Sequence, residues 1–189
     1  MMEEKTWKLI GTALRVIKSA MLMLKYQQTI VLRLCTPKTR CLNETLEYSE
    51  LIPVIGDYRP IAPQLGEYKF IPKQRWLNSL DNDAVVLLYH PYAERSAINK
   101  LRLLIMKYYE RYIFTPYNLE QIVPFAIVVK GCRLVMSHVV PNEVAHFLQN
   151  HGPKKVPLGK PNDKKPKYNL GLIEENRPHH LFGLIYQLS

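Results

Sequence analysis

Residues 84–89, AVVLLY, form an unbroken apolar run that His90 and Pro91 stop. A run this short and rich in β-branched residues reads as a buried strand. It must be core, and the elements after it are read as what surrounds it. Ser96 is placed to cap a helix, and Ile98, Leu101, Leu104, Ile105 and Tyr108 keep helical spacing to about Arg111. A short strand at 112–115 completes one crossover unit. Two strand-like runs, 125–129 and 132–137, are separated by Lys130-Gly131, which suits a tight hairpin. Pro141 opens a second helix to Asn150, with Val144, Phe147 and Leu148 inward and Gly152-Pro153 as its stop. The order strand, helix, strand, hairpin, helix predicts an α+β fold: a small mixed sheet with helices packed on one face. Residues 52–73, with Pro53, Pro60, Pro63, Pro72, Gly56 and Gly66, read as an extended lead-in that wraps this body.

The chain of 189 residues suits one domain with flanking segments, and its charge separates them. Lys and Arg against Asp and Glu count 8 to 2 over residues 1–40, 11 to 11 over 41–150, and 7 to 3 over 151–189. The expected division is therefore a basic N-terminal segment over 1–40, an α+β domain over 41–153, and a basic, largely flexible tail over 154–189. A balanced body lacks the basic face of a nucleic-acid-binding domain, so nucleic acid is not the expected partner. In the first segment Trp7, Ile10, Leu14, Ile17, Met21 and Leu24 make one apolar helical stripe, with Lys8, Arg15, Lys18 and Lys25 off it. Such a helix docks on the body, lies on an anionic membrane surface through residues 1–25, or is a degraded targeting segment. It is a poor signal peptide, because Lys18 and Lys25 confine the uncharged run to SAMLML.

Cys35, Cys41 and Cys132 show no zinc-type spacing, and either one disulfide with a spare thiol or three free thiols fits the count. Asn43-Glu44-Thr45 is a glycosylation triplet, usable only in the secretory pathway.

The stretch RWLNSLDND, residues 75–83, is the polar cluster that could hold chemistry. Arg75 and Trp76 could form a ligand platform; the plainer reading puts Trp76 in the core and pairs Arg75 with Asp81 or Asp83. Asn78, Asp81, Asn82 and Asp83 form a candidate ligand or contact loop. Asp81, Asp83 and His90 are the alternative metal set, its oxygen-rich chemistry suiting a hard cation. As a lone imidazole at a strand end, His90 more simply reads as structural. No Gly-rich phosphate loop, nucleophile elbow or metalloprotease motif is present, and neither a cofactor nor enzymatic activity is expected.

The strings GEYKFIPKQRWLNSLDNDAVVLLYHPY, YIFTPYNL, PFAIVVKGCRLVMS and FLQNHGP together resemble the domain of unknown function 3105, as found in animal proteins similar to tumour protein p53-inducible protein 13. That family's pattern runs G-x-Y-x-x-L-P-x-x-R-W-x-H-x-L-E-H-G-A-V, then L-Y-H-P-C, T-P and A-W-G-C. Gly66, Tyr68, Pro72, Arg75, Trp76, Leu80, Ala84, Val85, Tyr89, His90, Pro91, Thr115, Pro116, Gly131 and Cys132 match it. The departures cluster. Asn78, Asp81, Asn82 and Asp83 stand for His, Glu, His and Gly; Tyr92 stands for Cys, and Lys130 for Trp.

Two imidazoles and a carboxylate could bind a metal or move protons, and asparagine does neither. Either this copy has lost a site, or the family histidines build a turn that Asn and Asp imitate. The resemblance implies an extracellular or membrane-associated setting, with cytoplasmic as the alternative. The leading reading is a non-enzymatic protein that binds an unidentified protein or ligand; the alternative is an enzyme or metal carrier using the 78–83 loop with His90.

Overall fold

Successive side chains of the 84–89 run enter two different cores. In a computed structural model, residues 36–153 and 166–176 are described. The elements are β1 (Gly66–Tyr68), α1 (Lys73–Asp81), β2 (Val85–Tyr89), α2 (Arg95–Tyr108), β3 (Tyr112–Pro116), β4 (Phe125–Val129), β5 (Cys132–Met136), α3 (Pro141–His151) and β6 (Leu172–Glu175). They form one six-stranded mixed sheet in the order β5-β4-β2-β3-β1-β6. β3 lies parallel to both β2 and β1, while β4 pairs antiparallel with β2 and β5, and β6 with β1.

Because side chains alternate along a strand, Val85, Leu87 and Tyr89 face one side of the sheet and Val86 and Leu88 the other. On the first side Ile98, Leu101 and Ile105 of α2 and Val144, Phe147 and Leu148 of α3 cover them. On the second, Trp76, Leu77 and Leu80 of α1 join Ile52, Val54 and Ile71. The α+β fold is the one expected, and the two helices legible in the sequence share one face. The third helix, α1, was not legible: its nine residues include Asn78, Ser79 and Asp81, all weak helix formers. It packs on the opposite face together with the lead-in, which does wrap the body.

Three local expectations need correction. Ser96 is not the cap of α2; Glu94 holds that position, and the Ser96 hydroxyl bonds the Glu94 carboxylate instead. Residues 78–83 are not a loop but the last turn of α1 and its cap. The flexible tail does not start at 154 throughout, since β6 closes the outer edge of β1. This return is held by backbone bonds from Gln64 N–H to the Tyr168 carbonyl (2.8 Å) and from Asn176 N–H to that of Leu65 (3.1 Å). A count of lysines and prolines cannot reveal such long-range partners. The expected helix over 7–24, the remaining tail and Cys35 lie outside the described residues.

The end of α1 is a Schellman-type cap. Asp83 N–H donates to the Leu80 carbonyl (3.2 Å) and Ala84 N–H to that of Ser79 (2.9 Å), with Asp83 in the left-handed region at φ 58°. Glycine is the residue this position favours, because a Cβ there costs roughly 1 kcal/mol. Asp83→Gly is therefore expected to raise the stability of the folded chain by about that amount; chemical denaturation would read it, and a loss of stability would contradict the capping role.

Candidate functional site

The cap of α1 gathers Asn78, Asp81 and Asn82 at the start of β2, and each is engaged by its own chain. Asn78, only 3% exposed, donates its amide to the Arg59 carbonyl at 2.7 Å. Asn82 donates to the Asn78 carbonyl at 2.7 Å and to its side-chain oxygen at 2.9 Å. Tyr58 donates its hydroxyl to one Asp81 oxygen and Lys130 its ammonium to the other, both at 2.7 Å. Three separate pieces of chain are thereby tied to one helix end: the lead-in through Tyr58 and Arg59, α1 itself, and the β4-β5 hairpin tip through Lys130. The tip is also seated by Gly131 N–H on the Val54 carbonyl at 3.1 Å.

Arg75 does not pair with Asp81 or Asp83. Its guanidinium stacks 4.7 Å over the Tyr168 ring and donates to the Ile61 carbonyl at 2.9 Å, clamping the returning segment that leads to β6. Trp76 is core, its ring edge-on to Tyr117 at 6.4 Å, so the two do not form a shared platform.

His90 lies at the far end of β2. A five-residue strand spans roughly 17 Å, so Asp81 and Asp83 at one end and His90 at the other cannot share an ion, and the alternative metal set comes apart. Among the described residues no group of three His, Cys, Asp or Glu side chains is placed to hold a metal. The His90 backbone N–H donates to the Pro124 carbonyl at 2.8 Å, and its ring Nδ1 accepts the Tyr92 N–H at 3.1 Å. Both bonds brace the turn that leads into α2.

That far edge carries features the sequence reading did not single out. Here β2 ends, β4 begins and β5 ends, and their loops surround a groove of about 420 Å³. Glu94, Ser96 and Lys100 of the α2 end, Pro124, and Ser137 and His138 after β5 line it. Tyr92 and Ile122, on the flanking loops, are 88% and 79% exposed. No motif in the sequence marked these residues.

Cys41 and Cys132 are free thiols. Cys132 lies 3.8 Å from His151 Nδ1, but burial pushes its pKa up, the opposite of what an activated nucleophile needs.

Burial pushes the Asp81 carboxyl up, yet the bonds from Lys130 and Tyr58 outweigh it and hold the group below the usual carboxylate value. Its folded-state pKa being depressed, Asp81 stabilises the fold above the unfolded value, and the contribution fades as pH falls through the folded one. Lys130 is half exposed, so screening limits the pair. Asp81→Asn is expected to cost at most about 1 kcal/mol at neutral pH, the cost shrinking as pH falls below the usual carboxylate value. Urea unfolding at several pH values checks this.

No curated protein and no solved structure matches the chain. A family model described as protein of unknown function (DUF3105) matches residues 39–167, most of the chain and nearly all of the described body. The capped helix, the hairpin and every strand of the sheet but β6 fall within that match, and the chain belongs to the DUF3105 family.

Proposed function

We propose that this chain is a non-enzymatic binding protein of the p53-inducible protein 13-like branch of the family, secreted or attached to a membrane, that meets its partner at the groove beside Tyr92 and Ile122. One observation carries the reading. The polar groups of Asn78, Asp81 and Asn82 are spent on the chain's own segments, whereas the opposite edge presents a groove whose lining includes Glu94 and Pro124, each two residues after a large exposed side chain, Tyr92 and Ile122. Exposed aromatic and aliphatic residues around a concavity are the usual composition of a contact surface.

The branch is supported by the strings quoted for it, and the setting by what that likeness implies. No helix among the described residues is long and apolar enough to cross a membrane; attachment would fall to the basic stripe over residues 1–25, acting on anionic lipid.

Panning a displayed random peptide library on the folded protein tests the surface. Selected peptides are expected to lose about tenfold in affinity with Tyr92→Ser or Ile122→Ser, at an unchanged melting temperature. Peptides that instead compete at the Arg59 end, or none at all, would count against the groove.

The substitutions at the α1 cap fit a lost metal site. Asn78 and Asn82 are four apart on one helix turn and touch at 2.9 Å, so histidines at both positions would bring two imidazoles together at ligand spacing. The Asn78→His, Asn82→His double variant is expected to give a cobalt absorption band that the parent lacks. No band in a folded variant would mean that the family cluster is structural in origin.

A further inference from the structure

We infer that Asn43 is an N-glycosylation acceptor and that its glycan covers the end of the molecule opposite the groove. Asn43-Glu44-Thr45 is the sole N-x-S/T triplet in the chain. It lies in the turn over residues 41–44, closed by Glu44 N–H on the Cys41 carbonyl at 3.2 Å, and both Asn43 and Thr45 are exposed. The Asn43 side chain makes no hydrogen bond among the described residues, so its amide is available to a transferase. Beside it Leu42 is 71% exposed, an apolar surface that a glycan would shield.

The turn is tethered to the lead-in by its backbone carbonyls, which leaves the Asn43 side chain exposed. Arg59 donates to the Cys41 carbonyl and, at 2.7 Å, to that of Glu44. Glu44 in turn accepts the Cys41 N–H at 3.1 Å and, with Asp57, pairs with Arg40. Because the Arg59 carbonyl accepts the Asn78 amide, this turn belongs to the α1-cap end of the sheet. β2 runs from that end to the groove, roughly 17 Å along the strand alone. A glycan here leaves Tyr92, Ile122 and the groove open.

The modification is a transfer from a lipid-diphosphate-linked oligosaccharide. The amide nitrogen of Asn43 forms a bond to the anomeric carbon, the anomeric C–O bond breaks, the lipid diphosphate leaves with its electron pair, and the nitrogen gives up one proton. The inference shares with the proposed function only the secretory setting.

The test is the full chain behind an appended cleavable secretion leader in cultured animal cells, read by glycosidase mobility shift and peptide mass. One glycan on the peptide containing Asn43 is expected, lost in Asn43→Gln and Thr45→Ala and kept in Thr45→Ser. The serine variant separates loss of the acceptor from loss of folding. A secreted, folded chain without a glycan at Asn43 overturns the site. A glycan in this assay, with an unmodified Asn43 in protein isolated from its own cells, leaves the acceptor standing and counts against the secretory setting alone.

Discussion

A strand with no exposed face dictates the architecture. All five residues of β2 are buried, so apolar cover is needed on both sides of the sheet, at a gain of roughly 1.5–3 kcal/mol for each large side chain removed from water. One cover is conventional, since α2 lies across β2 and β3 and α3 against β5. The other is improvised from a nine-residue helix and an irregular proline-containing lead-in. A short helix of mediocre propensity is marginal in isolation, so α1 exists because Trp76, Leu77 and Leu80 are driven onto the sheet. Everything at its C-terminal cap follows from keeping it there.

This explains what could be read from the sequence. β2, β3, the β4-β5 hairpin, α2 and α3 announce themselves through periodicity, turn residues and flanking Gly or Pro within a dozen residues. α1 was hidden because its polar face carries residues that favour caps and turns. β6 was hidden because only four residues pair, and its supports come from far away; the Tyr68 hydroxyl, for instance, donates to Tyr168 across 100 positions. The polar cluster was found as a set of residues, but not as a tether, because Tyr58, Arg59 and Lys130 reach it from other elements. The groove was least legible of all, for its lining comes from three loops with no common motif.

The departures from the family pattern become physically coherent at the α1 cap. Asn82 still bonds Asn78 one turn back, Asp81 still presents a carboxylate, and Lys130 at the hairpin tip meets it across the gap between elements. Asp83 occupies a left-handed position that a glycine fills without strain, and aspartate is among the few other residues that tolerate it. Together these residues satisfy one another's hydrogen bonds at the helix end and set its backbone turn.

The two ends of β2 differ in how their side chains are engaged. At one, charged and amide groups lock the lead-in, helix and hairpin together. At the other, His90 and Pro124 brace short loops by backbone bonds while Tyr92 and Ile122 stay in water. Recognition commonly resides on loops positioned by a rigid scaffold, and pre-organised loops surrender less entropy when a partner binds. The Tyr92 ring, 88% exposed, touches the His90 ring at 5.6 Å and leaves most of its surface in water.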